Sequence, residues 1–262
     1  MTAIGATMSD QIEKNPNIGD WQAASLRLTA FPGISGNVPA ETWFEEIIGH
    51  PPDQITRQRS GHVEVVGMVN SLNLTLSIDA VKIEWRMAPA GDASALTDDI
   101  PNLGAFFQVV DSFLHLMSSW LDRTRLEVNR LAFGAELLVP VEGRSDGYRY
   151  LSTYLPSVIV DPDGSSDLLY QINRFRPSRI GIADLIINRL TKWSVAKLAQ
   201  VAVLPNGQLV PLSDTTRYFC RLELDINTSE DRTEMLPDDQ LAAIFQELID
   251  FGREIAVEGD IP

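Results

Sequence analysis

Three histidines, one cysteine and 36 carboxylates are the groups from which acid–base, nucleophilic or metal chemistry would have to be assembled in this 262-residue chain. His62 and Glu64 stand two apart, which on a strand puts both on one side, with His50 twelve residues earlier. That is half a metal site. No cysteine or further histidine lies near, and alternating polar residues on a strand read more simply as a solvated face. Asp111 and His115 are four apart on a helical stretch, a spacing that lets a carboxylate orient an imidazole. No nucleophile accompanies them, because Gly33-Ile34-Ser35-Gly36 lacks the spacing of a nucleophile elbow. A hydrogen-bonded polar pair inside a buried helix is the expectation. Cys220 is in phase with Tyr218, Leu222, Leu224 and Ile226, so its thiol is expected in the core and inert. The run Asp161 to Asp167 has glycine at its fourth place and no acid at the twelfth, which fits a turn rather than a calcium loop. No phosphate loop, dinucleotide fingerprint, zincin or kinase signature is present. The sequence therefore predicts no catalytic residues, no metal site and no cofactor. Carboxylates on different strands, such as Asp79, Glu84, Glu127 and Asp225, can still converge on a divalent ion without a local motif.

The pattern with binding chemistry is a set of arginines. Arg174, Arg176, Arg179 and Arg189 join Arg125 and Arg130, with Arg123, Arg144 and Arg149 nearby and Tyr148, Tyr150, Tyr154, Phe175 and Trp193 interleaved. Guanidinium groups make planar, bidentate contacts with carboxylates and phosphates, and on adjacent strands they could line one groove. A charged sheet face neutralised by the protein's own carboxylates is the competing reading. The candidate binding residues are Arg125, Arg130, Arg174, Arg176, Arg179 and Arg189.

The 21 basic and 36 acidic residues leave a net charge of −15, which argues against general nucleic-acid binding. The stretch 123–197 carries eleven Lys/Arg and eight Asp/Glu, so a local excess of +3 sits in a remainder of −18. Hydrophobic residues make up 44% and charged residues 22%, as in an ordinary globular chain. No run reaches the roughly 18 apolar residues needed to span a bilayer, and no basic and apolar leader opens the chain. A lone cysteine forms no internal disulfide. Cytoplasm is the expected location.

The elements that must position these residues fall into two similar series. The polar stretch 1–20 reads as a flexible lead-in. A strand at Ser25 to Phe31 precedes a helix at Pro39 to Ile48, which is stopped by Gly49 and Pro51-Pro52. Four strands follow, near Gln54 to Arg59, His62 to Val69, Leu72 to Ile78 and Val81 to Met87. A helix over Leu103 to Trp120, apolar on nearly every side, closes the first series. A long strand at Arg123 to Val139 changes apolar phase near Asn129-Arg130, which predicts a bulge. A helix is expected at Tyr148 to Leu155, and strands near Leu168 to Phe175, Ile180 to Leu190, Trp193 to Leu204 and Thr216 to Asn227. The last helix runs from Asp238 to Ile255. The expected fold is α+β: two similar antiparallel sheet-plus-helix units, 21–120 and 121–262, related by internal duplication and a pseudo-twofold axis, with a cleft between them as the default site.

The segment Arg125-Leu126-Glu127-Val128-Asn129-Arg130-Leu131, read as an R-x-x-x-N-R strand, and Arg221-Leu222-Glu223-Leu224-Asp225-Ile226-Asn227 with its closing helix carry a family resemblance. Over about 120–255 the chain resembles a sporadically distributed family of uncharacterised bacterial proteins of similar length, associated with mobile defence loci. The resemblance implies a setting and no activity. The leading expectation is a non-enzymatic recognition or adaptor protein, the sensor or partner subunit of an antiviral defence system, with a protein partner. A chaperone-like binder of extended polypeptide and a carboxylate- and metal-dependent hydrolase are the alternatives. The Arg-rich face or an edge strand such as Ser25 to Phe31 offers a route to homo-oligomers.

Overall fold

A computed structural model describes residues 21–33, 39–90, 101–124, 126–198, 201–203, 209–211, 216–232 and 234–262. The expected lead-in 1–20 and Arg125 lie outside the described residues.

Alternation is strictest in Leu72–Ile78, where Leu74, Leu76 and Ile78 are buried while Asn73, Thr75 and Ser77 point the other way. The first strands are β1 (Gln22–Pro32), β2 (Gln54–Arg57), β3 (Val63–Val69), β4 (Leu72–Ile78) and β5 (Ile83–Pro89). Next come β6 (Val128–Val141), whose central place buries a run of residues on both sides, then β7 (Leu169–Pro177), β8 (Ile186–Leu198) and β11 (Arg217–Thr228). These nine form one sheet in the order β2-β3-β4-β5-β1-β6-β11-β8-β7, and every neighbouring pair is antiparallel. A separate hairpin pairs β9 (Val201–Val203) with β10 (Leu209–Pro211).

The α-helices among the described residues are α1 (Ala40–Ile48), α2 (Phe106–Thr124), α3 (Arg144–Ser152) and α4 (Leu241–Glu258). All pack on one face of the sheet. One register row across that face reads Val65, Leu76, Trp85, Leu28, Phe133, Ile226, Arg189, Arg174. Trp85 is fully buried, stacked on Phe44 of α1 at 6.1 Å and edge-on to Trp120 of α2 at 5.7 Å. Burying a ring of that size contributes about 5 kcal/mol. Phe245 of α4 meets both Phe113 of α2 and Phe133 of β6 edge-on, so the two long helices and the central strand share one core. Two glycines allow close approach. A Cβ at Gly67 would sit 2.7 Å from the Phe44 ring, and one at Gly252 would sit 2.9 Å from Phe133.

Several expectations change. The expected strands Ile180 to Leu190 and Trp193 to Leu204 are not separated at Thr191-Lys192: β8 runs unbroken from Ile186 to Leu198, and the short β9 follows at Val201–Val203. The inward positions of β8 are Ile187, Arg189, Thr191 and Trp193, and the two polar ones hide the alternation. The strand expected from Arg123 starts at Val128, because α2 continues to Thr124 and Arg123 closes it, donating to the Glu46 carbonyl at 2.8 Å. Helix α3 begins four residues before the expected Tyr148. Helix α2 is two-sided rather than apolar all round: Phe113, Met117 and Trp120 are buried, Asp111 and His115 are exposed. The bulge is present, since Phe31 pairs with Arg130 and Pro32 with Val128, leaving Asn129 as the extra residue. The chain is thus mixed α+β and mostly sheet. Stretches 21–120 and 121–262 share that single sheet, joined edge to edge where β1 pairs with β6 instead of facing across a cleft.

Candidate functional site

Four of the six candidate arginines come together. Arg174 and Arg189 are direct partners across β7 and β8, Arg176 is two residues on, and Arg179 follows in the next loop. They lie on the helix-bearing side, at the sheet margin, under α4 and residues 259–262. Arg174 clamps Asp260 with both Nε and Nη2, at 2.5 and 2.9 Å. Asp260 is 4% exposed and also accepts the Tyr170 hydroxyl at 2.7 Å and the Ser157 hydroxyl at 3.3 Å. The hydrogen bonds from Arg174 hold its carboxyl below the usual range, against a smaller opposing effect of burial. Glu254 takes Arg176 at 2.5 Å and Arg179 at 2.9 Å. Burial raises its pKa, yet the hydrogen bonds from Arg179 and Arg176 and the nearby charges prevail, so the net shift is downward. Arg189 is 2% exposed and has one hydrogen bond, to the Ile261 carbonyl at 3.1 Å, with Glu254 at 4.0 Å. Its Nε and Nη1 are buried without a hydrogen-bond partner. Burial, followed by the charge of Arg176, lowers its pKa. Phe251 of α4 lies under Arg179 and Arg189, at 4.4 and 5.6 Å. This cluster ties the final helix and the residues after it to the sheet margin.

Arg130 is elsewhere. It sits on the opposite face at the end of β6, over the Phe31 ring at 5.0 Å, bonding Asn227 at 3.1 Å and Glu230 at 3.3 Å.

That opposite face has none of the described helices on it. One of its register rows reads Val66, Thr75, Arg86, Arg27, Gly134, Asp225, Leu190, Asn173. At its middle is a depression of about 420 Å³ straddling the β1–β6 seam. Arg27, Arg86 and Lys192 line it among Glu84, Glu136, Glu223 and Asp225. Gly134 shapes its floor: with no side chain there, Arg27 crosses β6 to reach Asp225 at 3.3 Å, and a Cβ would lie 2.4 Å from its Nε. The surrounding ion pairs form a grid: Lys192–Glu223 at 2.8 Å, Arg221–Glu136 at 2.7 Å and Lys82–Glu84 at 2.8 Å. In a chain of net −15 this region is close to neutral.

The other sequence candidates are structural. Asp111 pairs with Arg253 of α4 and not with His115. Cys220 is fully buried, its thiol donating to the Gly147 carbonyl at 3.4 Å, and burial pushes its pKa up to about 12. Asp161 accepts the amides of Asp163 and Gly164, both at 3.1 Å, as turn chemistry requires. Asp79 does the same for Val81 and Lys82, at 2.8 and 2.9 Å. Among the described residues no three His, Cys, Asp or Glu side chains gather as a metal site would need. Among them too, no helix is long and apolar enough to cross a membrane.

Sequence reading missed Arg27, Arg86 and Gly134. Their joint position depends on pairing strands up to 107 positions apart, as Arg27 with Gly134. A glycine inside a long strand was the available signal, since it marks close approach of another group. No protein-family model and no curated protein matches the chain.

Proposed function

We propose that this chain is a non-enzymatic recognition protein that engages a protein partner across the open face of its sheet. The observation that carries the reading is the depression at the β1–β6 seam, where paired charges are displayed on a nine-stranded face with none of the described helices on it. An antiparallel sheet needs only one covered face for stability, which leaves the other to be shaped by binding. The rigid backbone behind Arg27, Arg86, Lys192 and Glu223 fixes their spacing, so discrimination by charge pattern costs little ordering. The antiviral-defence setting enters from the resemblance over 120–255.

The proposal includes one unit used twice. Outward from the seam the order is β1, β5, β4, β3, β2 on one side and β6, β11, β8, β7 on the other, so β2 has no counterpart, and α2 and α4 close the two series. Such an arrangement would put a pseudo-twofold axis through the depression.

The test is photo-crosslinking in cells, with the crosslinker at Thr75 or Gln171 on the open face, or at the exposed Ala243 of α4 as control. The same partner should be captured from both open-face positions and not from Ala243. Capture from Ala243 alone, or equal capture from all three, overturns the proposal. The chaperone reading keeps one supporting observation: Leu169 and Phe175, on the open side of edge strand β7, are 59% and 71% exposed. Suppression of client aggregation that is lost in Phe175→Ser would favour it.

A further inference from the structure

We infer that β7 is a docking edge for a second copy of this chain, the two copies pairing antiparallel about a twofold axis at Ile172. Two strands end the sheet. β2 is four residues long and carries a charge, Arg57, two of the devices that blunt an edge. β7 has nine residues; among the described residues its backbone pairs only with β8, and its open-side positions are all exposed. Leu169, Gln171, Asn173 and Phe175 on that side are uncharged, and Leu169 and Phe175 are 59% and 71% exposed. The two charges of β7, Arg174 and Arg176, are on the helix-bearing side, where Asp260 and Glu254 already hold them. β1 is paired on both sides and offers no edge.

The occupant follows from the symmetry of the strand itself. Leu169 and Phe175 stand three residues to either side of Ile172. An antiparallel mate centred there sets Leu169 of each copy against Phe175 of the other and Gln171 against Asn173, so two apolar pairs flank two amide pairs on one face. On the other face Arg174 meets Tyr170, and Ile172 meets its own mate. The neighbouring centres match less well. At Asn173, Phe175 would oppose Gln171; at Arg174, two guanidinium groups would stand face to face, which destabilises a sheet. Charge favours the same place. β7 has no carboxylate and lies in the stretch 123–197, of net +3, so two copies of a −15 chain meet where their acidity is least. An extended foreign polypeptide would gain the backbone ladder without this matched pattern. Facing residues of an antiparallel pair project to one side, so the helices of both copies stay on one face and the two open faces become continuous. Leu169 to Phe175 give about 23 Å of ladder, a contact of the weak, reversible class.

The experiment is sedimentation equilibrium of the intact protein. A monomer–dimer equilibrium with a dissociation constant of about 10 to 100 µM is expected for so short a ladder. It should tighten about threefold as salt rises from about 0.05 to about 0.5 M, since screening relieves the repulsion between like-charged copies. Phe175→Lys alters both apolar pairs at an exposed site and should weaken the dimer at least tenfold. Val81→Lys, at a comparably exposed apolar site before β5, should change it less than twofold. Leu169→Cys and Phe175→Cys, mixed and treated with a short bis-maleimide, should crosslink to each other. Neither should crosslink with itself, because its own mate lies six residues, about 20 Å, along the ladder, and native Cys220 is buried. A protein that stays monomeric up to about 500 µM, a dimer unaffected by Phe175→Lys, or self-crosslinking equal to that of the mixture overturns the proposal. A monomer whose suppression of client aggregation is lost in Phe175→Ser would mean that the edge takes a foreign strand instead. In the photo-crosslinking test, this second copy should be captured from Gln171 and not from Thr75, so a different protein captured from both bears on the recognition reading alone.

Discussion

Asp260→Asn tests whether the arginine cluster is a structural clasp. The side chain is nearly inaccessible, and its two oxygens are unequally loaded. Oδ1 accepts only the Nε of Arg174, while Oδ2 accepts Arg174 Nη2, the Tyr170 hydroxyl and the Ser157 hydroxyl. An amide of the same shape keeps its oxygen on the crowded side and turns its NH2 toward the Nε of Arg174. One charge-assisted bond becomes a donor–donor contact and the guanidinium loses its counter-charge. Losing one such bond costs about 1.5 to 3 kcal/mol, and breaking one side of a buried pair about 3 to 5. Because Arg174 keeps 26% side-chain exposure, the lower part of that range applies, so about 3 kcal/mol is expected. Urea unfolding at pH 7 measures it directly. The pH dependence has a defined sign. The folded pKa of Asp260 is depressed, so its contribution is present above the unfolded value, near 3.9, and disappears as pH falls through the folded value. The gap between wild type and Asp260→Asn should therefore narrow below about pH 4. In an Arg174→Met background the same substitution should cost about 1 to 2 kcal/mol less, as coupled partners do. A loss below about 1 kcal/mol at pH 7, or a gap that widens in acid, would refute the reasoning.

Arg189→Met should cost under about 1 kcal/mol or stabilise the protein in the same urea assay, because a buried guanidinium with a single hydrogen bond is replaced by an apolar chain. Glu254→Gln, which strips Arg176 and Arg179 of their shared carboxylate, should lose about 2 kcal/mol or more. Gly67→Ala should lose about 1 to 3 kcal/mol through collision with the Phe44 ring, and Phe44→Leu should recover part of that loss. Cys220 should resist a thiol reagent at pH 8 in the native protein and react fully once unfolded, a difference read by absorbance.

Legibility in the sequence followed the range of the interactions. The alternation of Leu72 to Ile78 and the stripe from Leu241 to Ile255 involve neighbours, so β4 could be read to the residue and α4 to within three residues at each end. The phase change at Asn129-Arg130 likewise revealed the bulge. Inward-facing polar residues misled it. Arg189 and Thr191 broke the pattern of β8 into two strands, because Phe251, Glu254 and Ile261, which make Arg189 tolerable inside, lie 62 to 72 positions later. Of the proposed arginine groove, four members lie together, bound to Asp260, Glu254 and the final residues, and nothing local tells which sheet face bears helices. The seam itself was invisible for the same reason, since Arg27 meets Arg86 and Gly134 only through long-range register.

The place of β1 also dictates an order of events during synthesis. It is the first of the described strands, yet its two neighbours are β5, complete at Pro89, and β6, complete at Val141. At about 5 to 20 residues per second, the roughly fifty residues between those points take about 3 to 10 s to appear. Throughout that interval a nascent five-strand unit would present the bare backbone of an eleven-residue strand, with Leu26, Leu28 and Ala30 along its inner side. The ribosome-bound chain is therefore most vulnerable to mispairing with a sister chain just before its midpoint, and β6 acts as the stopper that ends the exposure.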